Sequence, residues 1–193
     1  MIRLYFVTLW SIIDPIYYAL TRLHYIQSET KSSVFRVRLT KYKGKDITLK
    51  DGTNIYKNDL LIKIHLHNVR LLKEVLTIQN PVNRGKIIYR AVYNSMPDLA
   101  KYIEKHPNRD QIKGIIGITM LNKGVRHLGF ECHYPENMFY IWLKKLTQLP
   151  IYFMSSSFIS FQKFKNQKPT YLFMSKDKLT KKYLHKIPST NSH

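Results

Sequence analysis

Apolar and polar residues alternate with a period of two along residues 59–68, Asp-Leu-Leu-Ile-Lys-Ile-His-Leu-His-Asn. Successive side chains of a strand point to opposite faces. Leu60, Ile62, Ile64 and Leu66 therefore line one face, and Leu61, Lys63, His65 and His67 the other. The spacing then changes to that of a helix: Leu72, Val75 and Leu76 group together in residues 69–76, and Asn68 is placed to cap them. The histidine pair is thus predicted at the carboxyl end of a strand, beside a helix N-terminus, where anions are commonly held.

Other stretches alternate in the same way. Val34–Tyr42 sets Phe35, Val37 and Leu39 against Arg36, Arg38 and Thr40. A turn at Lys43-Gly44-Lys45, a short strand at Ile47–Leu49 and a hairpin-type turn at Asp51-Gly52 complete a small meander with an apolar inner face. Sequential strands are usually neighbours, so Arg36, Arg38, Lys63, His65 and His67 are expected on one basic sheet face. An ordinary solvated face of an antiparallel sheet carries the same pattern. Gly114–Leu121 is apolar on both faces, which predicts a central strand covered on both sides, with Gly114 and Gly117 allowing close approach by another backbone or a helix. Val125–Tyr134 predicts a strand with Leu128, Phe130, Cys132 and Tyr134 inward and His127, Gly129, Glu131 and His133 outward. Further strands are expected at Ile151–Met154, Phe158–Phe164 and Tyr171–Met174.

Helical spacing recurs between these strands. Ile2–Ile26 is apolar and aromatic but is interrupted by Asp14-Pro15. A membrane span needs about 20 nearly uncharged residues, and a central Asp costs about 2.5–3.5 kcal/mol on insertion. Two short helices follow instead, packed on the core or laid on a membrane surface through Trp10, Tyr17, Tyr18 and Tyr25. Arg84–Asn94 reads as one helix, and Pro97–Lys105, capped by Ser95, as a second. Asn137–Gln148 and a basic Asp177–His185, capped by Ser175, complete the set. The expected fold is α+β: a mixed, mainly antiparallel sheet flanked by helices, with an N-terminal aromatic helical hairpin. A single domain spans residues 1–186, and residues 187–193 form a disordered tail.

Composition adds charge to this picture. With 32 Lys+Arg against 12 Asp+Glu the formal net charge is +20, and eight of the lysines fall in Lys163–Lys186 beside Asp177 alone. Such a field attracts polyanions over a Debye length of about 8–10 Å. Hydrophobic residues at 44% exclude wholesale disorder, and a single cysteine excludes a disulfide framework and fits a reducing cytosol. The location expected is cytoplasmic or peripheral to the inner membrane surface.

Few residue patterns carry chemistry. If the two histidine-bearing strands met, His65, His67, His127, Glu131 and His133 could surround a first-row cation, although no cofactor is expected. Glu131 with His133 or His67 is the best general acid/base set. There is no glycine-flanked serine elbow, and no glycine cluster forms a phosphate-cradling loop. Nucleic-acid binding has the charge and 14 tyrosines in its favour, but no zinc-finger, RRM or KH pattern.

Several segments together carry a resemblance that covers nearly the whole chain. They are Trp10-Ser11-Ile12-Ile13-Asp14-Pro15 with Leu20-Thr21-Arg22, Phe35-Arg36-Val37-Arg38, Asn58–Asn68, Gly117-Ile118-Thr119, His127-Leu128-Gly129-Phe130-Glu131 and Tyr171-Leu172-Phe173-Met174-Ser175-Lys176. On these the chain resembles the YkoP-like family of Bacillus-type bacteria. The resemblance implies a domain that also occurs attached to polysaccharide-deacetylase-like proteins, and hence a link to cell-envelope polysaccharide or glycolipid metabolism. It carries no catalytic signature. The leading expectation is therefore a non-catalytic accessory domain that holds an anionic envelope precursor, or an envelope-synthesis protein, through Arg36, Arg38, Lys63, His65, His67 and Asn68. A small enzyme using Glu131 and the strand histidines is the alternative, and a nucleic-acid-binding protein the second alternative.

Overall fold

A computed structural model describes residues 33–119, 124–134 and 169–184, together with 23–26 and the isolated positions 8, 11, 12 and 15. The expected aromatic hairpin before residue 23, the helix at 137–148, the strands at 151–154 and 158–164 and the terminal tail lie outside the described residues, those isolated positions apart. The fold is α+β. In chain order the described elements are β1 (His24–Tyr25), β2 (Phe35–Lys41), β3 (Ile47–Thr48), β4 (Asn54–Ile55), β5 (Leu60–Leu66), α1 (Asn68–Val75) and α2 (Pro81–Glu104). They continue with β6 (Ile112–Thr119), β7 (Glu131–His133), β8 (Thr170–Ser175) and α3 (Lys176–Tyr183).

Six strands form one sheet in the order β1-β2-β5-β6-β8-β7. Only the β5–β6 pair is parallel; the other four pairings are antiparallel. A parallel return needs a long crossover, and α1 with α2 supplies it. One face buries Phe35, Val37, Ile62, Ile115, Leu172 and Met174 against the stripe Val92, Met96, Leu99, Ala100 and Ile103 of α2 and Leu179 of α3. Over the other face folds the β3–β4 hairpin, whose Leu49 and Ile55 join Tyr42, Leu61, Ile116 and Phe173 in a second, smaller core. Gly52, at φ +84°, makes the hairpin tip, and the Tyr42–Asp59 and Asn58–Tyr42 backbone bonds close its base.

Gly114 sits beside the Met174 backbone carbonyl, the close approach expected of it, whereas Gly117 faces the Ile64 side chain and not another backbone or a helix. Three expectations are corrected. First, α2 is one helix and does not break at Ser95. Its interior Pro97 costs about 3 kcal/mol or more. The buried stripe on either side offsets this, since Met96, Leu99 and Ile103 are each fully buried and each worth about 1.5–3 kcal/mol. Ser95 is not a cap: its hydroxyl donates to the Ala91 carbonyl and accepts from the Val34 amide, tying the helix to the start of β2. Second, residues 124–129 are not a strand. Gly124 and Gly129 have φ of +83° and +99°, and successive local bonds wind the chain into a turn. Strand pairing is confined to Glu131–His133, and Tyr134, expected inward, is exposed. Third, α1 begins one residue early. His67 takes the cap position and makes no side-chain capping bond.

Candidate functional site

The β2–β5 register sets Arg36 directly opposite His65 and Arg38 opposite Lys63. Cross-strand neighbours on one face have Cβ atoms about 4.5–5.5 Å apart, so two basic pairs lie side by side. His67 follows just past the end of β5, where its amide donates to the Val34 carbonyl. Tyr25 of β1 pairs with Arg36 and extends the same row. Its ring lies 5.0 Å from the guanidinium carbon of Arg36, within cation–π range, and its hydroxyl accepts from Arg36 Nη2 at 2.8 Å. The same ring stands edge-on to His67, 5.6 Å between centroids.

Burial differs along this patch. Arg36 is only 2% exposed, so it is no part of the solvated stripe the alternation suggested. Arg38, Lys63, His65 and His67 are half-buried, with Arg38 Nε and His65 Nε2 covered. Every member of the group has contacts of its own within the protein. Partial burial lowers the effective dielectric around Arg38 and Lys63 and strengthens their pull on an anion.

The residues of the acid/base and metal alternatives do not converge. One row across the sheet runs Arg38, Lys63, Ile116, Phe173 and Glu131. Lys63 and Glu131 are three strand spacings apart, roughly 14 Å. His65 and His67 therefore lie far from Glu131 and His133, while His127 is an exposed turn residue. Among the described residues no group of three His, Cys, Asp or Glu side chains is placed to hold a metal ion.

Glu131 instead belongs to a second cluster on the β7 edge. Its carboxylate, 9% exposed, accepts from Lys178 Nζ at 3.3 Å and, with both oxygens at 3.1 Å, from the Lys50 amide at the hairpin tip. Next to it the Ser175 hydroxyl donates to Asp51 and accepts from the Lys178 amide, capping α3 as its sequence predicted. Burial alone raises the Asp51 carboxyl. The Ser175 and Thr53 hydrogen bonds and the nearby Lys178 outweigh it, and the pKa lies below the ordinary 3.8. Beside these contacts opens a depression of about 380 Å³ lined by Thr48, Lys50, Arg126, Phe130, Glu131, Cys132, His133 and Lys178.

Sequence reasoning found Glu131 and His133 but missed Lys50, Arg126 and Lys178 around them. Lys50 and Lys178 come from a hairpin tip and a helix first turn distant in sequence, and no local spacing links either to β7. It also missed Arg84, fully buried in α2, whose Nη1 reaches the Ile78 carbonyl.

Comparison with known proteins places this sequence in a family. A family model described as the YkoP domain matches residues 3–183. The chain is 50% identical over 181 residues to "Uncharacterized protein YkoP" of Bacillus subtilis (strain 168), covering 94% of this chain and 97% of that relative. No solved structure matches.

Proposed function

From the premise that the chain belongs to the YkoP family, we propose that it is a non-catalytic binding domain for an anionic ligand, held at the β2–β5 patch. The single observation that supports this most is the register, which puts Arg36 against His65 and Arg38 against Lys63. Arg38 and Lys63 set two like charges directly opposite each other. An anion over that pair is attracted by both, and the net charge of +20 draws it in. Arg38, Lys63, His65 and His67 are the contact residues, with Asn68 following at the start of α1. Arg36 acts from beneath as a fixed charge that holds Tyr25 in place. The ligand class in this reading is a phosphate-bearing envelope glycan precursor or glycolipid headgroup. No helix of the described residues is long and apolar enough to cross a membrane. Contact with a bilayer in this reading is peripheral and electrostatic.

Nitrogen-15 chemical-shift mapping tests the reading. An anionic glycan fragment should move the amides of residues 36–38 and 63–67, less so as salt rises. Shifts confined to other residues, or shifts indifferent to salt, would remove the proposal. A stronger and equally salt-sensitive response to a single-stranded oligonucleotide would favour nucleic acid as the ligand.

A further inference from the structure

We propose that the depression on the β7 edge is a separate binding site, for a small phosphorylated sugar. It is unrelated to the patch on β2 and β5, from which the sheet row separates it by Ile116 and Phe173. Its volume of about 380 Å³ lies in the lower part of the range for small-molecule pockets. Three fixed cations line it, Lys50, Arg126 and Lys178, against the single carboxylate Glu131. The difference, three minus one, leaves two positive charges, which complement a phosphate dianion. Lys50 and Arg126 are exposed at the rim, while Lys178 is half-buried.

Glu131 supplies the second half of the recognition. A carboxylate offers about four lone-pair sites. Two are taken by the Lys50 amide and one by Lys178 Nζ, which leaves roughly one acceptor in a side chain that lines the depression. An unprotonated phosphate oxygen has no use for that acceptor; a sugar hydroxyl does. A site that complements a phosphate and keeps an acceptor for a hydroxyl fits a sugar phosphate better than a neutral sugar.

Calorimetry on the full chain decides this with three probes: glucose 1-phosphate, inorganic phosphate and glucose. Glucose 1-phosphate should bind saturably, inorganic phosphate more weakly, and glucose not at all. Arg126→Ala and Lys50→Ala change exposed side chains and keep the Lys50 amide, so both should fold. Each should weaken glucose 1-phosphate about tenfold, whereas Arg38→Ala with Lys63→Ala should leave it unchanged. Absence of saturable binding, or affinity untouched by both rim variants, would overturn the site. Equal affinity for inorganic phosphate would overturn its sugar specificity. A loss confined to the Arg38→Ala/Lys63→Ala variant would assign the ligand to the other patch, leaving that proposal intact and ending this one.

Discussion

Replacing Glu131 by alanine should loosen the hairpin from the sheet edge. The carboxylate joins three elements: the tip of the β3–β4 hairpin through the Lys50 amide, β7 through its own backbone, and α3 through Lys178. A hydrogen bond to a charged partner is worth about 1.5–3 kcal/mol. Lys178 is 33% exposed, and solvent screening reduces its share. The Lys50 amide, at an exposed tip, re-bonds to water at little cost. The net expectation is about 1–2 kcal/mol. In a chain of this size each kcal/mol moves Tm by about 2–4 °C, so Glu131→Ala should melt about 2–8 °C lower. Glu131→Gln keeps an acceptor for the amide, loses the ion pair and should fall between. Thermal melts give the order, and amide hydrogen exchange at Lys50 gives the local effect, faster in both variants. A double-mutant cycle with Lys178→Met isolates the pair. Additivity within about 0.3–0.5 kcal/mol, or an alanine variant as stable as the parent, would refute the reasoning.

Gly114→Ala should destabilise more, because the new Cβ meets the Met174 carbonyl and Ser175 Cα, both backbone atoms that cannot turn aside. Overpacking of that kind costs about 1–3 kcal/mol, readable from denaturant midpoints. Ser95→Ala strands the buried Val34 amide, and an unsatisfied buried donor costs about 1–3 kcal/mol; a Ser95→Thr variant with near-parent stability would confirm the hydroxyl's role. The depressed Asp51 carboxyl predicts the sign of an acid effect. The folded state binds the proton less readily than the unfolded state. Its contribution is therefore complete above the ordinary value of 3.8 and is lost as pH falls through the lower folded value. Urea melts of Asp51→Asn against the parent should converge at the acid end of that range, and a gap that stays constant with pH would contradict it.

The strands were legible where alternation has a physical cause. Phe35–Lys41 and Leu60–Leu66 each bury one face on α2, so their period of two reports a real asymmetry. β3 and β4, expected to join these strands in one meander, form a separate two-stranded sheet, so β2 and β5 pair across them, and Arg38 with Lys63 came out opposite each other. Alternation misled at residues 125–130, where Leu128 and Phe130 are buried from a turn, not from a strand. Gly129, at positive φ, was the signal that could have warned of it. Pro97 misled in the other direction, since local propensity marks a stop that tertiary burial overrides. The depth of Arg36 was not readable at all. Alternation tells which face a side chain joins, not what lies over that face. The partners of Glu131 come from Lys50 and Lys178, 81 and 47 residues away, and only the folded chain brings them together.

The central claim is that Arg38 and Lys63 hold an anion, and one titration addresses it directly. A phosphate-bearing glycan polymer is added to the parent chain and to the Arg38→Ala/Lys63→Ala variant, at low and at high salt. The account predicts saturable binding by the parent that weakens with salt, and at least about tenfold weaker binding by the folded variant at low salt. Equal affinity of the two proteins at low salt would contradict it.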